Sequence, residues 1–304
     1  MENAIRKDIE DIAANHQAGA AEIAEQAADV FLRYVYLNKA TTVEAARREL
    51  LKIGWALIRA QPAMAPLVNL VNSMLWEIEG IESLYLFRQT VADVSGSFKR
   101  RLHINEAAIA EAVLPLIQER ARVLTLSRST TVQAALRHAQ HAGRHFSVIC
   151  AEGRPGYEGR IMATELSEYG VPVTLVIDAL SIAMTAQSRL VLVGADHLRG
   201  DELVNKTGTY GLALASNANR VPLYALCGSD KFLPPGYVPP PQSAWPTEQV
   251  WLDPPSTISV ENIYFDHTPL SYFLGIVTEQ GVLPAEGIEA WLASIKLHPS
   301  LKQF

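Results

Sequence analysis

Five short apolar runs in the second half of the sequence each end on side chains that can bind anions or move protons. Val123-Leu124-Thr125 leads to Ser127, Arg128, Ser129 and Thr130, and Phe146-Ser147-Val148-Ile149 leads to Glu152, Gly153 and Arg154. The run from Val173 to Ile177 is followed by Asp178, and Leu190 to Val193 by Asp196 and His197. Leu223 to Leu226 is followed by Ser229, Asp230 and Lys231. Helical patterns at Thr131–His141, Arg160–Tyr169, Ala179–Ala186 and Tyr210–Asn219 separate most of these runs. Continuous apolar strands alternating with helices predict a parallel sheet covered on both faces. Ligands of such a sheet bind beyond the carboxyl ends of its strands, where these polar groups would converge.

The residue types define what chemistry that edge could perform. Arg154 can hold a phosphate or carboxylate through two parallel N–H donors while Glu152 accepts sugar hydroxyls, although the same pair would also make an ordinary surface ion pair. Asn205-Lys206-Thr207-Gly208-Thr209 runs into a helix start near Tyr210, so Lys206 and free backbone N–H groups form a candidate anion cradle. Asp178 and Asp196 are candidate site residues by their position after strands, and both are also good helix N-caps. Neither a G-x-x-x-x-G-K-[ST] loop nor a strand-linked G-x-G-x-x-G occurs, which leaves no nucleotide fingerprint and no cofactor to expect. His138, His141 and His145 lie beside Arg137 and Arg144 on a helix remote from the strand ends, a poor setting for a metal. Cys150 and Cys227, the only cysteines, read as buried structural thiols.

The rest of the chain must position that edge. Hydrophobic residues make up 49% of the 304 residues and charged residues 19%, enough apolar side chain for a substantial core. A formal charge of −6 disfavours nucleic acid as a partner, since a phosphate backbone requires a basic face. No apolar stretch approaches a membrane span, and the opening residues show no basic-then-apolar leader, so the expected setting is cytoplasmic. From Ile5 to about Gln118 the apolar spacing is helical throughout. Thr41 is the expected N-cap of one helix, with Glu44 at capping-box spacing, and a last helix is expected from Asn105 to about Glu119. Pro234-Pro235 and Pro239-Pro240-Pro241 mark an extended excursion, after which Ile258 to Phe304 reads as a short strand and two helices.

Taken together, Glu152-Gly153-Arg154-Pro155, Gly159-Arg160, Gly170-Val171-Pro172-Val173-Thr174, Asp178, Val193-Gly194-Ala195-Asp196, Asn205-Lys206-Thr207-Gly208-Thr209 and Lys231-Phe232 resemble one family in order and spacing. It is the superfamily of the α, β and δ regulatory subunits of eukaryotic translation initiation factor 2B, which also holds isomerases of ribose-1,5-bisphosphate and methylthioribose-1-phosphate. Tyr264-Phe265-Asp266-His267-Thr268-Pro269 is similar to its C-terminal segment. The resemblance implies an α/β protein: an all-helical N-terminal domain (residues 1–120) followed by a Rossmann-like domain (residues 121–304) that binds ligand and forms a homodimer. It also implies a sugar-phosphate site at the domain junction.

In the isomerases a cysteine after the first strand and the aspartate of Gly-Ala-Asp exchange protons with the sugar. The resemblance places that aspartate at Asp196 and the cysteine position at Ser127. A serine hydroxyl is a poor substitute, because its pKa lies far above a thiol's and the sequence shows no base beside it. Two arginine positions of the isomerases fall on Ala18 and Gln61. The sequence therefore favours an initiation-factor-related protein with a sugar-phosphate or nucleotide pocket that does not catalyse the known isomerisation. That pocket would use Glu152, Arg154, Asp178, Asn205, Lys206, Lys231 and Arg128. The alternatives are an aldose–ketose isomerase of a phosphorylated sugar, with His197 as a substitute acid, and a purely structural subunit.

Overall fold

The computed structural model describes residues 2–15, 18–239 and 245–302, so Pro240 and Pro241 of the proline-rich excursion lie outside it. Two compact units emerge. One comprises the described residues of 1–104, 230–241 and 292–304, and the other those of 105–229 and 242–291.

In the first unit, apolar residues at three-and-four spacing bury one stripe of each helix: α1 (Asn3–Ala14), α2 (Ala20–Leu37), α3 (Val43–Ala60) and α4 (Ala65–Glu77). Phe31, Tyr34, Leu50, Ile53, Leu57, Leu67 and Leu70 are fully buried among them. The start of α3 is one residue later than the sequence suggests. Thr42, not Thr41, is the cap, its hydroxyl accepting from the Ala45 N–H at 3.2 Å. Gly54 lets α3 approach α4, since a Cβ there would lie 2.8 Å from a Val71 methyl. The expected helix from Asn105 is the end of a longer one, α5 (Leu84–Val113), because no glycine or proline follows Gly96 to stop it before Pro115.

The second unit carries β1 (Ala121–Leu126), α6 (Thr130–His141), β2 (Phe146–Ala151), α7 (Glu158–Glu168), β3 (Val173–Val176) and α8 (Asp178–Met184). These are followed by β4 (Leu190–Val193), β5 (His197–Arg199), β6 (Glu202–Lys206), α9 (Thr209–Asn219) and β7 (Leu223–Leu226). The tail departs from expectation. It contributes β8 (Phe265–Pro269), β9 (Gly275–Thr278), β10 (Gly281–Leu283) and α10 (Ala285–Ser294), because Gly281 at φ +103° turns β9 back into β10.

The main sheet has the order β10-β9-β7-β4-β1-β2-β3, parallel except for the β9–β10 pair. All four residues of β4 and five of six in β1 are buried, which requires cover on both faces. Among the six parallel strands this is the doubly wound, Rossmann-like order, and the direction in which strands are added reverses between β1 and β4. A small antiparallel sheet, β5-β6-β8, joins a strand of the tail to two strands, β5 and β6, where the sequence offered none. Its β5–β6 hairpin is inserted directly after Asp196.

Candidate functional site at the β1–β4 edge

The reversal between β1 and β4 opens a crevice at their carboxyl ends, and the residues there are packed closely. Gly194, after β4, has no room for a side chain: a Cβ would stand 2.5 Å from Ser129 Oγ and 3.8 Å from Asn205 Oδ1. The β1 exit, the β4 exit and the end of β6 therefore meet at one point. Ser129 caps α6 by accepting from the Val132 N–H.

Ser127 leaves β1 in the left-handed region, at φ +58°, and is buried. It has a carboxylate partner that its sequence neighbours do not reveal. Its hydroxyl donates to Glu158 Oε2 at 3.5 Å, from the first turn of α7. Glu158 is itself buried and takes the Lys206 ammonium at 3.4 Å from both oxygens. The loop before α7 is shaped around this carboxylate: a Cβ on Gly156 would sit 2.4 Å from Oε1, and one on Gly153 would sit 3.2 Å from Oε2.

Lys206 ends β6, buried, with Nζ 3.1 Å above the centroid of the Tyr264 ring. Burial pushes its ammonium down to about 8, and the nearby Glu158, Asp178 and Asp196 charges oppose that shift. The same dependence places Asp178 and Asp196 within electrostatic reach of Lys206. Asp196 does not cap a helix, because the strand β5 follows it and its own N–H donates to the Val204 carbonyl. His197, the substitute acid considered from sequence, is buried in β5. Asp178 does not cap α8 either, since it is that helix's first residue. Its two oxygens accept from the backbone N–H groups of Gly153 at 2.8 Å and Arg154 at 2.7 Å, fixing the β2 exit loop.

Other expected groups are engaged elsewhere. Glu152 pairs with Arg160 at 2.8 Å rather than with Arg154. The Arg154 guanidinium is exposed and donates to the Tyr157 hydroxyl and, at 3.2 Å, to the Val250 carbonyl. Arg128 makes a two-pronged bond to Glu165 of α7, which also accepts from Gln133. Asn205 donates to Thr209 Oγ1 at 2.9 Å and so joins the end of β6 to the start of α9. Lys231 is buried and falls in the first unit.

The anion cradle expected at the start of α9 already holds an anion from the chain itself. Asp266 Oδ2 accepts from the N–H groups of Gly208 at 2.7 Å and Tyr210 at 3.1 Å. Burial raises the Asp266 carboxyl above the usual carboxylate range despite these bonds. Glu158, Tyr264 and Asp266 are the site residues that sequence reasoning did not place. The close spacing of Gly153, Gly156 and Gly159 was the one signal that something bulky sits against that loop.

The two cysteines are both buried thiols. Cys150 is buried in β2 and burial, with a smaller effect of Asp178, pushes its thiol up to about 12. In the first unit, Gln61 donates its amide to the Ile12 and Asn15 carbonyls at 2.9 and 3.0 Å, closing the end of α1. Among the described residues no helix is long and apolar enough to cross a membrane.

Comparison with known proteins places this architecture. A ribose 1,5-bisphosphate isomerase of Haloferax volcanii is 30% identical over 293 residues, covering 93% of this chain and 90% of its own. A protein of Pyrococcus horikoshii named as translation initiation factor eIF-2B subunit 2-like is 30% identical over 277 residues, covering 89% and 93%. The crystal structure of a Pyrococcus horikoshii OT3 translation initiation factor eIF-2B superposes with a TM-score of 0.81 at 26% identity, over 93% of this chain and 98% of that one. The sequence profile of the initiation factor 2 subunit family matches residues 16–285. The chain belongs to the initiation factor 2 subunit family.

Proposed function

We propose that this protein is a sugar-phosphate isomerase of the aldose–ketose type, acting at the β1–β4 edge on a ribose-like sugar bearing phosphate. The observation that carries the proposal is Lys206, a buried ammonium brought down to about 8 and placed within reach of the Asp196 and Asp178 charges. An acid whose pKa lies near working pH is the kind that gives up a proton efficiently in a transition state. A cyclic sugar 1-phosphate must first gain a proton on its ring oxygen to open. C1 then gains one proton while C2 and its hydroxyl each lose one, so atoms balance with no outside oxidant. In this reading Lys206 donates to the ring oxygen, Asp196 takes the C2 proton and returns it to C1, and the proton of the C2 hydroxyl goes back to Lys206, so both groups end as they began. Ser127 holds Glu158 and carries no proton itself. The relative named for ribose 1,5-bisphosphate isomerisation, similar over nearly the whole chain, supports the same reaction class.

A second reading, a ligand-binding subunit without turnover, is favoured by one observation. Ser127 stands where the resemblance implies a cysteine, and the nearest thiol, Cys150, is inert. Turnover of ribose 1,5-bisphosphate and methylthioribose 1-phosphate, followed by a ketose-specific coupled assay, separates the two. The isomerase reading expects turnover that falls at least a hundredfold in Asp196→Asn. A rise in melting temperature with these ligands and no turnover would leave the binding subunit as the answer.

A further inference from the structure

The cations of the second unit's strand-end edge are unequally available, and the difference bears on which sugar fits. Lys206 lies against Glu158, Arg128 against Glu165, and Arg160 against Glu152. Two sets of backbone donors that could also take an anion are filled: Gly153 and Arg154 N–H by Asp178, and Gly208 and Tyr210 N–H at the start of α9 by Asp266. Arg154 differs, for among the described residues its guanidinium donates to the Tyr157 hydroxyl and the Val250 carbonyl, both neutral acceptors, and lies over the Tyr157 ring, and it is exposed. Glu158 is the carboxylate that matters most. It is buried, and Gly153 and Gly156 leave the space it fills, so it has no room to retreat.

We infer that Glu158 is a specificity-determining residue: by holding Lys206 it closes that lysine to a phosphate dianion and restricts this edge to sugars carrying one phosphate, held by Arg154. The inference rests on the sugar-phosphate reading and narrows its substrate class. A phosphate brought to Lys206 would face the Glu158 carboxylate at contact distance with the Asp178 and Asp196 charges close by. A neutral hydroxyl or ring oxygen meets no such repulsion and can accept the lysine's proton.

The test is calorimetric binding of ribose 1-phosphate and ribose 1,5-bisphosphate, which differ only by the second phosphate, to the whole protein. The wild type should bind the monophosphate at least as tightly as the bisphosphate. Glu158→Gln, which keeps the shape and removes the charge, should shift the ratio of the two affinities at least tenfold toward the bisphosphate. Glu158→Asp should keep the wild-type ratio. A wild type that binds the bisphosphate ten times more tightly, or a ratio unchanged in Glu158→Gln, would overturn the inference while leaving the sugar-phosphate reading intact. If neither ligand binds the wild type at millimolar concentration, that reading fails and the inference fails with it. The wild-type ratio decides the matter even if Glu158→Gln does not fold.

Discussion

Removing Asp266 should loosen the turn that sets Lys206, and the size of the effect can be worked from its contacts. The carboxylate takes the Gly208 and Tyr210 N–H groups and receives a further backbone bond from Thr209. Charge-assisted bonds of this kind are worth about 1.5–3 kcal/mol each before the cost of burying the charge. Burial is the largest influence on this carboxyl, so it offsets much of that sum. A net loss of about 2 kcal/mol for Asp266→Ala matches what deletion of a good helix cap costs. Asp266→Asn, which keeps one acceptor oxygen, should lose about 1 kcal/mol.

Urea unfolding followed by circular dichroism measures both, with the slope against denaturant unchanged. The pH dependence has a definite sign. The folded carboxyl is raised above its unfolded value near about 4, so the folded state binds the proton more readily. That contribution to stability is complete below the unfolded value and is lost as pH rises through the folded one. The wild type should therefore gain on Asp266→Asn as pH is lowered from 7 toward 4. An Asp266→Ala protein as stable as wild type, or a gap that closes on acidification, refutes the reasoning.

Three further substitutions give outcomes of definite sign. Lys206→Met leaves the buried Glu158 carboxylate without its cation and should cost about 3 kcal/mol in equilibrium unfolding. Because the folded Lys206 is depressed to about 8 from 10.5, the wild type should also gain stability as pH rises between those values, a gain absent in Lys206→Met. Gly159→Ala would put a Cβ 1.9 Å from the Ala151 carbonyl oxygen, a backbone clash that should abolish soluble expression or cost more than about 3 kcal/mol. Gln61→Ala frees the Ile12 and Asn15 carbonyls and should cost about 1–2 kcal/mol, read out as earlier proteolysis within α1.

The parallel sheet was legible because β1, β2, β4 and β7 are buried on both faces and so appear as unbroken apolar runs. β5 and β6 were not, nor was the pairing of β8, although one short strand was expected in the tail. They are three to five residues long, and Asn205-Lys206 and Phe265-Asp266 pair through backbone bonds that leave no apolar pattern. Asp178 and Asp196 were correctly read as sitting at strand ends, but their partners come from loops 24 or more residues away or from another strand, which local spacing cannot encode. The same distance hid Glu158, which looks like an ordinary acidic residue in a first helical turn. The cradle at α9 was a sound inference about free N–H groups, and Asp266 occupies it from a strand 56 and 58 residues further on.

The central claim is that the edge holding Asp196 and Lys206 converts an aldose to a ketose. Carbon-13 NMR of C1-labelled ribose 1-phosphate, ribose 1,5-bisphosphate and methylthioribose 1-phosphate incubated with the purified protein tests it most directly. The account predicts that the anomeric C1 signal of at least one of them is replaced by the CH₂ signal of a ketose, and that Asp196→Asn leaves it in place. An anomeric signal that persists unchanged with the wild-type protein for all three sugars would contradict it.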